Sequence, residues 1–389
     1  MIRTGLEIFL ENPSKWIAGG RLGLLCNPAS IDSGLMHARL GIEKRLPGRL
    51  KALYSPQHGF FAEKQDNMIE SDHMTDPVLG IPVYSLYGET RVPTADMLAP
   101  IDTLLVDLQD AGTRVYTFIY TLSYCMEVAA RLGKRVVVLD RPNPVGGIEI
   151  EGNLLSPAYA SFVGRYPIPM RHGLTIGEIA RLFNGHFGIG CDLDVVPMAG
   201  WARAMGFRET GLPWVAPSPN LPTPESALVY PGQVIWEGTQ VSEGRGTTLP
   251  FELFGAPYFD TTRIFRAFGG EQPPGAVLRP CGFEPTANKW AGRTCSGFQI
   301  HVTDPCRFRP YGTALRLLRA VLACHGDAFE WKAPPYEYEY ERMPIDLILG
   351  DGEVRRWIEG RGDIGVLEGT WAADLAAYAE LCRSVRLYA

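Results

Sequence analysis

Short apolar runs alternate with helix-spaced segments through the first half of the chain. The runs 22–26, 50–54, 103–108, 135–139 and 193–196 are rich in leucine and β-branched residues, the composition of strands covered on both faces. Between two of them, 120–132 (YTLSYCMEVAARL) repeats apolar residues at helical spacing and stops at Gly133, a C-cap residue. Strand, helix and strand in that order form a βαβ unit, so the N-terminal part is expected to be a Rossmann-like α/β domain with a mainly parallel sheet. From about Gly200 the pattern breaks into aromatic, proline-rich and glycine-rich stretches. Segment 210–257 reads as one long loop, stiffened by Pro217, Pro219, Pro222 and Pro224 and turned at Gly238, Gly244 and Gly246, and a loop of that length is usually functional. A helical run at 311–324 and a short strand at 298–302 then predict a smaller α+β domain. With 389 residues, the chain exceeds what one core usually supports, and the expected division is 1–200 and 201–389, with the second domain closing a cleft against the first.

Composition narrows the function classes. Hydrophobic residues at 46% and charged residues at 21% leave ample apolar surface for a core. The net charge of -6 and the lack of a long basic run exclude a nucleic-acid footprint. No stretch reaches membrane-spanning length and the N-terminus has no uninterrupted apolar h-region, so no membrane partner is expected. The eight cysteines show no CxxC spacing, which excludes a zinc ribbon, and several sit in apolar runs. Free buried thiols of that kind fit a reduced, cytoplasmic location. Oligomeric state is not encoded in any feature of the pattern.

In open α/β sheets ligands lie outside the carboxyl ends of the strands. Three such edges carry polar residues: 55–60 with His58, 107–110 with Asp107, Gln109 and Asp110, and 140–144 with Asp140, Arg141 and Asn143. No GxGxxG follows the first strand and no GxxxxGK[ST] occurs, so a dinucleotide or P-loop reading lacks its phosphate cradle. No cofactor is called for. HExxH and HxxxH are absent too, and nothing requires a metal. Glycosidic cleavage needs an acid near the leaving oxygen and a second group that attacks or activates water. Glu63 and Glu70, on the loop HGFFAEKQDNMIES, and Asp107, Asp110 and Tyr116 are the candidates for that work; solvated loop charge or structural ion pairing is the plainer alternative for each acid. Arg114, Arg141, Arg171 and Arg245 present planar forks suited to a carboxylate. His172 lies just outside a helix for which Thr175 and Glu178 form a capping box. Glu237, Glu243 and Arg245 alternate charge on a glycine-punctuated stretch, the chemistry of a polyhydroxylated anionic ligand.

The strings PQHGFFAEKQDN, PVYSLYGETR, VDLQDAGTRVYTF, VLDRPNPVGG, SFVGRYPIPMRHGLTIGE, TGLPWVAPSPNLPT, ALVYPG and EGTQVSEGRGTTLPFELFGAP together resemble the bacterial exo-β-N-acetylmuramidase family. The resemblance runs in order from about Leu22 to the C-terminus. It implies a glycoside hydrolase that releases N-acetylmuramic acid from the non-reducing end of peptidoglycan fragments, in a cleft between a Rossmann-like domain and a smaller one. The partner it implies is a small saccharide or muropeptide, whose lactyl carboxylate the arginines would read. Many members carry a glutamate in a pattern similar to HGFRGxxxAGE. Here the same loop places Met68 at that position without a gap, Glu70 with a two-residue insertion and Glu63 under another alignment, and Glu70 is taken ahead of Glu63. The alternative from another class is a non-catalytic binding protein for muropeptides or related anionic sugars.

Overall fold

In the computed structural model, which describes residues 2–66 and 68–389, the apolar runs form strands as their composition requires. In chain order these are β1 (Leu22–Cys26), β2 (Leu50–Ser55), β3 (Met74–Thr75), β4 (Pro82–Ser85), β5 (Thr103–Asp107), β6 (Arg135–Leu139), β7 (Glu151–Leu154), β8 (Pro169–Arg171), β9 (Asp192–Val196), β10 (Leu253–Ala256), β11 (Ala276–Phe283) and β12 (Cys295–Val302). Seven of them make one sheet in the order β3-β4-β2-β1-β5-β6-β9. All its pairings are parallel except β3 with β4. Sequence order runs outward from β1 toward β4 and then returns to β5 on its other side, so the carboxyl ends around β1 form a topological switch point. The predicted helix is Phe118–Arg131, and Gly133 follows it with a φ of 63°, in the left-handed region that ends helices cheaply. The Thr175–Glu178 capping box is present on the helix Ile176–Gly185.

The second part builds a three-stranded antiparallel sheet, β10-β12-β11, around the stacked rings of Trp236, Phe254 and Phe298, whose successive centroids lie 5.1 and 5.6 Å apart. The helix Pro310–His325 extends the predicted run by one residue at each end. One expectation is corrected: segment 210–257 is not a continuous loop but contains the helix Pro224–Gln233, a 3-10 turn Val234–Gly238 and β10. Its prolines mislead because Pro224 occupies the first helical turn, where a missing N–H leaves nothing unpaired, and Thr223 caps the helix by accepting from the Ser226 N–H. Gly232 lets this helix press on the helix Pro310–His325, since a Cβ there would stand 2.1 Å from the Pro310 carbonyl oxygen.

One side chain ties the two parts together. Arg114, fully buried, donates from Nη1 to the carbonyls of Asn153 and Ile168, and from Nη2 to those of Ile348 and Leu349. The last two carbonyls end the helix Pro344–Leu349, where a cation also meets the negative end of the helix dipole. Replacing Arg114 by Met removes a donor from four buried carbonyls; those of Ile168 and Leu349 keep the Leu155 N–H and Asn153 Nδ2, and a carbonyl left without any donor costs about 1–3 kcal/mol. We expect Arg114→Met to lose at least about 2 kcal/mol of stability, read as a lower urea midpoint at unchanged slope. A loss under about 1 kcal/mol would show that the carbonyls find water and that Arg114 is no such tie.

Candidate active site

The carboxyl ends of β2 and β5 flank β1 and supply one wall of a cavity. Gln57 and His58 come from the segment after β2, and Val115, Tyr116, Thr117 and Phe118 from the segment after β5. The opposite wall is Tyr230, Glu237, Arg245, Phe251, Tyr336 and Glu337, with Ser218 and Asn220 at one side. His58 and Gly59 both take positive φ, 78° and 85°, which turns the chain sharply. Strain of that kind at a non-glycine residue persists only where surrounding bonds hold it. Here the Lys64 N–H donates to the His58 carbonyl and His58 Nδ1 lies 2.8 Å from the Lys64 carbonyl oxygen. Burial pushes the His58 pKa down to about 4, so near neutrality the ring is uncharged, with its Nδ1 proton assigned to that carbonyl.

Two buried carboxyl groups in this cavity sit in opposed electrostatic settings. Glu237 accepts from Arg245 Nη2 at 2.6 Å and from the Tyr336 hydroxyl at 2.6 Å. Burial opposes its charge, but the arginine and the hydroxyl together outweigh burial and hold its pKa below the usual carboxylate value. Glu337 has no such cation in contact: it accepts from Gln57 Nε2 at 2.9 Å and from the Tyr87 hydroxyl at 2.6 Å. For Glu337 burial wins, and its pKa is pushed up to about 7. Thr117 in turn donates to Gln57 Oε1, and the Met68 N–H donates to the Tyr87 oxygen, so both donors to Glu337 are themselves oriented. Glu337 and Tyr338 occupy the tip of a tight turn with φ of 46° and 65°, closed by reciprocal bonds between Tyr336 and Glu339. Turns with two such residues favour Asn and Gly, so a Glu–Tyr pair there is strained and is held by the bonds across the cavity.

The structure brings His58, Tyr116, Glu237 and Arg245 together, and Glu243 stands behind them, ion-paired with Arg245 Nε at 3.1 Å and accepting from Lys289 Nζ at 2.7 Å. Asp107 lies outside the cavity, paired with Arg141, whose guanidinium also reaches the Ile31 carbonyl. Asp110 accepts from the Gly112 N–H and faces His172 Nε2 at 3.1 Å. Asp140 accepts from Thr175, the Gly177 N–H and Tyr388, anchoring a helix start. Gln109 and Asn143 donate to backbone carbonyls of Pro142 and Leu174. Arg171 lines a separate cavity with Arg203 and Phe207, and Arg114 is the interdomain tie. Glu63 is exposed and folds back on the Phe61 N–H, while Glu70, also exposed, accepts from the Tyr338 hydroxyl. Of the four predicted arginines, therefore, only Arg245 meets this cavity. Sequence reasoning passed over Tyr87, Tyr336 and Glu337, and from the edge 55–60 it singled out His58 and not Gln57. The run 336–342 (YEYEYER) reads as a solvated, alternating-charge stretch, and only its burial marks it.

The chain matches two family models, described as "Exo-beta-N-acetylmuramidase NamZ, N-terminal" over residues 22–225 and "Exo-beta-N-acetylmuramidase NamZ, C-terminal" over 228–388. It is 41% identical over 387 residues to the peptidoglycan beta-N-acetylmuramidase NamZ of Bacillus subtilis (strain 168), covering 100% of this chain and 91% of that one. Two solved DUF1343 family proteins from Bacteroides fragilis NCTC 9343 share the fold. One has a TM-score of 0.89 at 34% identity, the other 0.75 at 26%, and each alignment covers 100% of this chain and 99% of the other.

The asymmetry between the two carboxyl groups can be probed without substrate. The Tyr87 hydroxyl favours the charged form of Glu337, so Tyr87→Phe should move the Glu337 titration to higher pH by roughly half a pH unit to one. Carboxyl-carbon NMR on the labelled protein reads this directly, and an unchanged or lower midpoint would contradict the assigned bond.

Proposed function

Because this chain belongs to the exo-β-N-acetylmuramidase family, we propose that Glu337 is its general acid and Glu237 the ionised carboxylate that faces the reacting sugar. The protein is a glycoside hydrolase, an exo-acting β-N-acetylmuramidase; the binding-protein alternative is not retained. Its substrate is a peptidoglycan-derived saccharide carrying N-acetylmuramic acid at the non-reducing end. The observation that carries the assignment of roles is the opposed setting of the two buried acids, one raised to about 7 by burial and one lowered by a bound arginine and tyrosine. Pairs of titratable groups whose surroundings drive them apart divide acid from base work.

The chemistry then balances with groups already in the cavity. Glu337 gives its proton to the glycosidic oxygen as the bond from that oxygen to the anomeric carbon breaks. Glu237 stays negative and stabilises the positive charge that develops at that carbon. Water supplies the hydroxyl that ends on the sugar, and its second proton restores Glu337. Arg245 is the arginine placed to meet the lactyl carboxylate. Its Nη2 and Nε are held by Glu237 and Glu243, and its Nη1 spends only a 3.2 Å bond on the Gln65 carbonyl, which a substrate carboxylate can replace. Tyr116 and His58, both uncharged near neutrality, complete the polar lining. We place the change from the sheet domain to the second domain near residue 200, and the site of action in a reduced compartment such as the cytoplasm, since all eight cysteines are free and most are buried.

A chromogenic aryl N-acetylmuramide tests the roles. Glu337→Gln and Glu237→Gln should each lower kcat by a factor on the order of 100 to 10,000, with the fold kept by circular dichroism. In the parent enzyme kcat/KM should fall as pH rises through about 7, because the raised carboxyl must be protonated to act as acid. Activity should persist on the acid side until Glu237 takes up a proton below the usual carboxylate range. Full activity of Glu337→Gln, with the loss appearing in Glu70→Gln or Glu63→Gln instead, would refute the assignment and return the acid to the 58–70 loop.

A further inference from the structure

The cavity that Arg171 lines shares no residue with the catalytic one and has a volume of about 470 Å³, within the ~300–1,000 Å³ range of small-molecule sites. Both parts of the chain build it. The segment after β6 contributes Val145 and the segment 203–209 contributes Phe207, while Leu228 comes from the helix Pro224–Gln233 and Val302 from the end of β12. These four give the cavity apolar walls on facing sides of the seam between the two parts.

Charge in this lining is satisfied everywhere but at one residue. Arg203 donates to the Glu178 carboxylate and to the Gly147 and Gly173 carbonyls, and Arg208 pairs with Glu225. Glu149 pairs with Arg309 at 2.8 Å, and Glu209 accepts from the Gly206 N–H at 2.6 Å. Arg171, on β8, is 5% exposed. Of its five N–H donors, the hydrogen bonds among the described residues use one, from Nη2 to the Val145 carbonyl, and Nε is buried without a partner. Its register partner on β7, Glu151, turns to the Gly312 N–H at 2.7 Å, and burial pushes the Glu151 pKa up to about 7. An arginine keeps its charge even when buried. Arg171 is therefore the cation of this lining that has no carboxylate in contact among the described residues, and burial makes such a charge costly.

We propose that this cavity is a second binding site, separate from the one for the sugar substrate, and that it takes a small monocarboxylate with an apolar body. The carboxylate meets the unused donors of the Arg171 fork, which suit its planar geometry, and the body lies between Val145, Phe207, Leu228 and Val302. A single negative charge is selected, because Glu149, Glu209 and Glu225 stand in the same lining and repel a second one. An apolar body is selected because a polyhydroxylated one would leave its hydroxyls against these side chains without partners. The bound molecule touches both parts of the chain.

Titration calorimetry on the full chain tests this with hydrocinnamate, one carboxylate on a phenyl-bearing chain, beside hydrocinnamyl alcohol, which has nearly the same shape and no charge. The acid should bind saturably with a Kd below about 5 mM. The alcohol should bind at least about tenfold more weakly, because the charge-assisted bonds to Arg171 are lost. Arg171→Met, which removes the cation, and Leu228→Glu, which adds a carboxylate from the facing wall, should each weaken the acid at least about fivefold. Circular dichroism melting shows that each variant is folded, and if Arg171→Met is not, Leu228→Glu decides alone. Absence of saturable binding to the parent overturns the proposal. Equal affinity for acid and alcohol does so too, since Arg171 would then be satisfied within the fold. Unchanged affinity in a folded variant also overturns it, because the acid would then sit elsewhere, as at Arg245.

Discussion

A guanidinium buried without a carboxylate in contact is the constraint on which this molecule is built. Among the described residues the Arg114 guanidinium donates to backbone alone: four carbonyls, two from its own domain and two from the end of a helix that begins at Pro344. Burial lowers its proton affinity, yet an arginine keeps its charge in almost any protein setting. The charge therefore has to be met by dipoles in fixed positions. That requirement sets the distance between the segment 113–118, which lines one side of the cavity, and the segment 336–350, which carries Tyr336 and Glu337 to the other. Gly350 sits against the guanidinium so closely that a Cβ would stand 2.8 Å from Nη2. The two walls of the site are thus joined a few residues from the chemistry by an interaction with little freedom to adjust.

The strained backbone of the cavity follows from the same geometry. His58, Glu337 and Tyr338 all occupy positive φ, a conformation that costs a bulky residue of order 1–3 kcal/mol. Each is held by bonds to a different part of the chain: His58 to Lys64, Glu337 to Gln57 and Tyr87, and Tyr338 to Glu70 with Arg91 stacked on its ring at 3.6 Å. The segment carrying Glu337 adopts its tight turn because the first domain supplies the donors. The acid is consequently a joint product of the two domains, and neither contains it alone.

Electrostatics inside the cavity are governed by where the single strong cation falls. Arg245 lies between Glu237 and Glu243, while Lys289 supplies a second positive charge to Glu243. Glu337 receives only neutral donors in contact. In a low-dielectric setting that difference decides protonation, because burial penalises any charge that lacks a close partner. The other predicted arginines are engaged elsewhere: Arg141 with Asp107, Arg171 at a separate cavity, and Arg114 in the interdomain tie.

Much of the architecture is written locally in the chain. The strands 22–26 and 135–139 and the helix capped at Gly133 lie where short-range apolar periodicity places them, since that periodicity reflects burial on a sheet or along one helix face. The Thr175–Glu178 capping box is likewise a four-residue matter. The motif order from Leu22 onward was enough to identify the resemblance to the exo-β-N-acetylmuramidases. What local pattern could not supply is the partnership of distant residues. Asp107, Asp140 and Arg141 carry the same chemistry in sequence as Glu237 and Arg245, and only the packing directs the former to structural contacts and the latter to the cavity. Glu337 is the sharpest case: in the sequence it is one acid in a run of tyrosines and glutamates, indistinguishable from a solvated charge. Gln57 and Tyr87, which are 280 and 250 positions away, orient it, while burial between the walls raises its pKa against the pull of their bonds, and that environment exists only once the two domains have closed on Arg114.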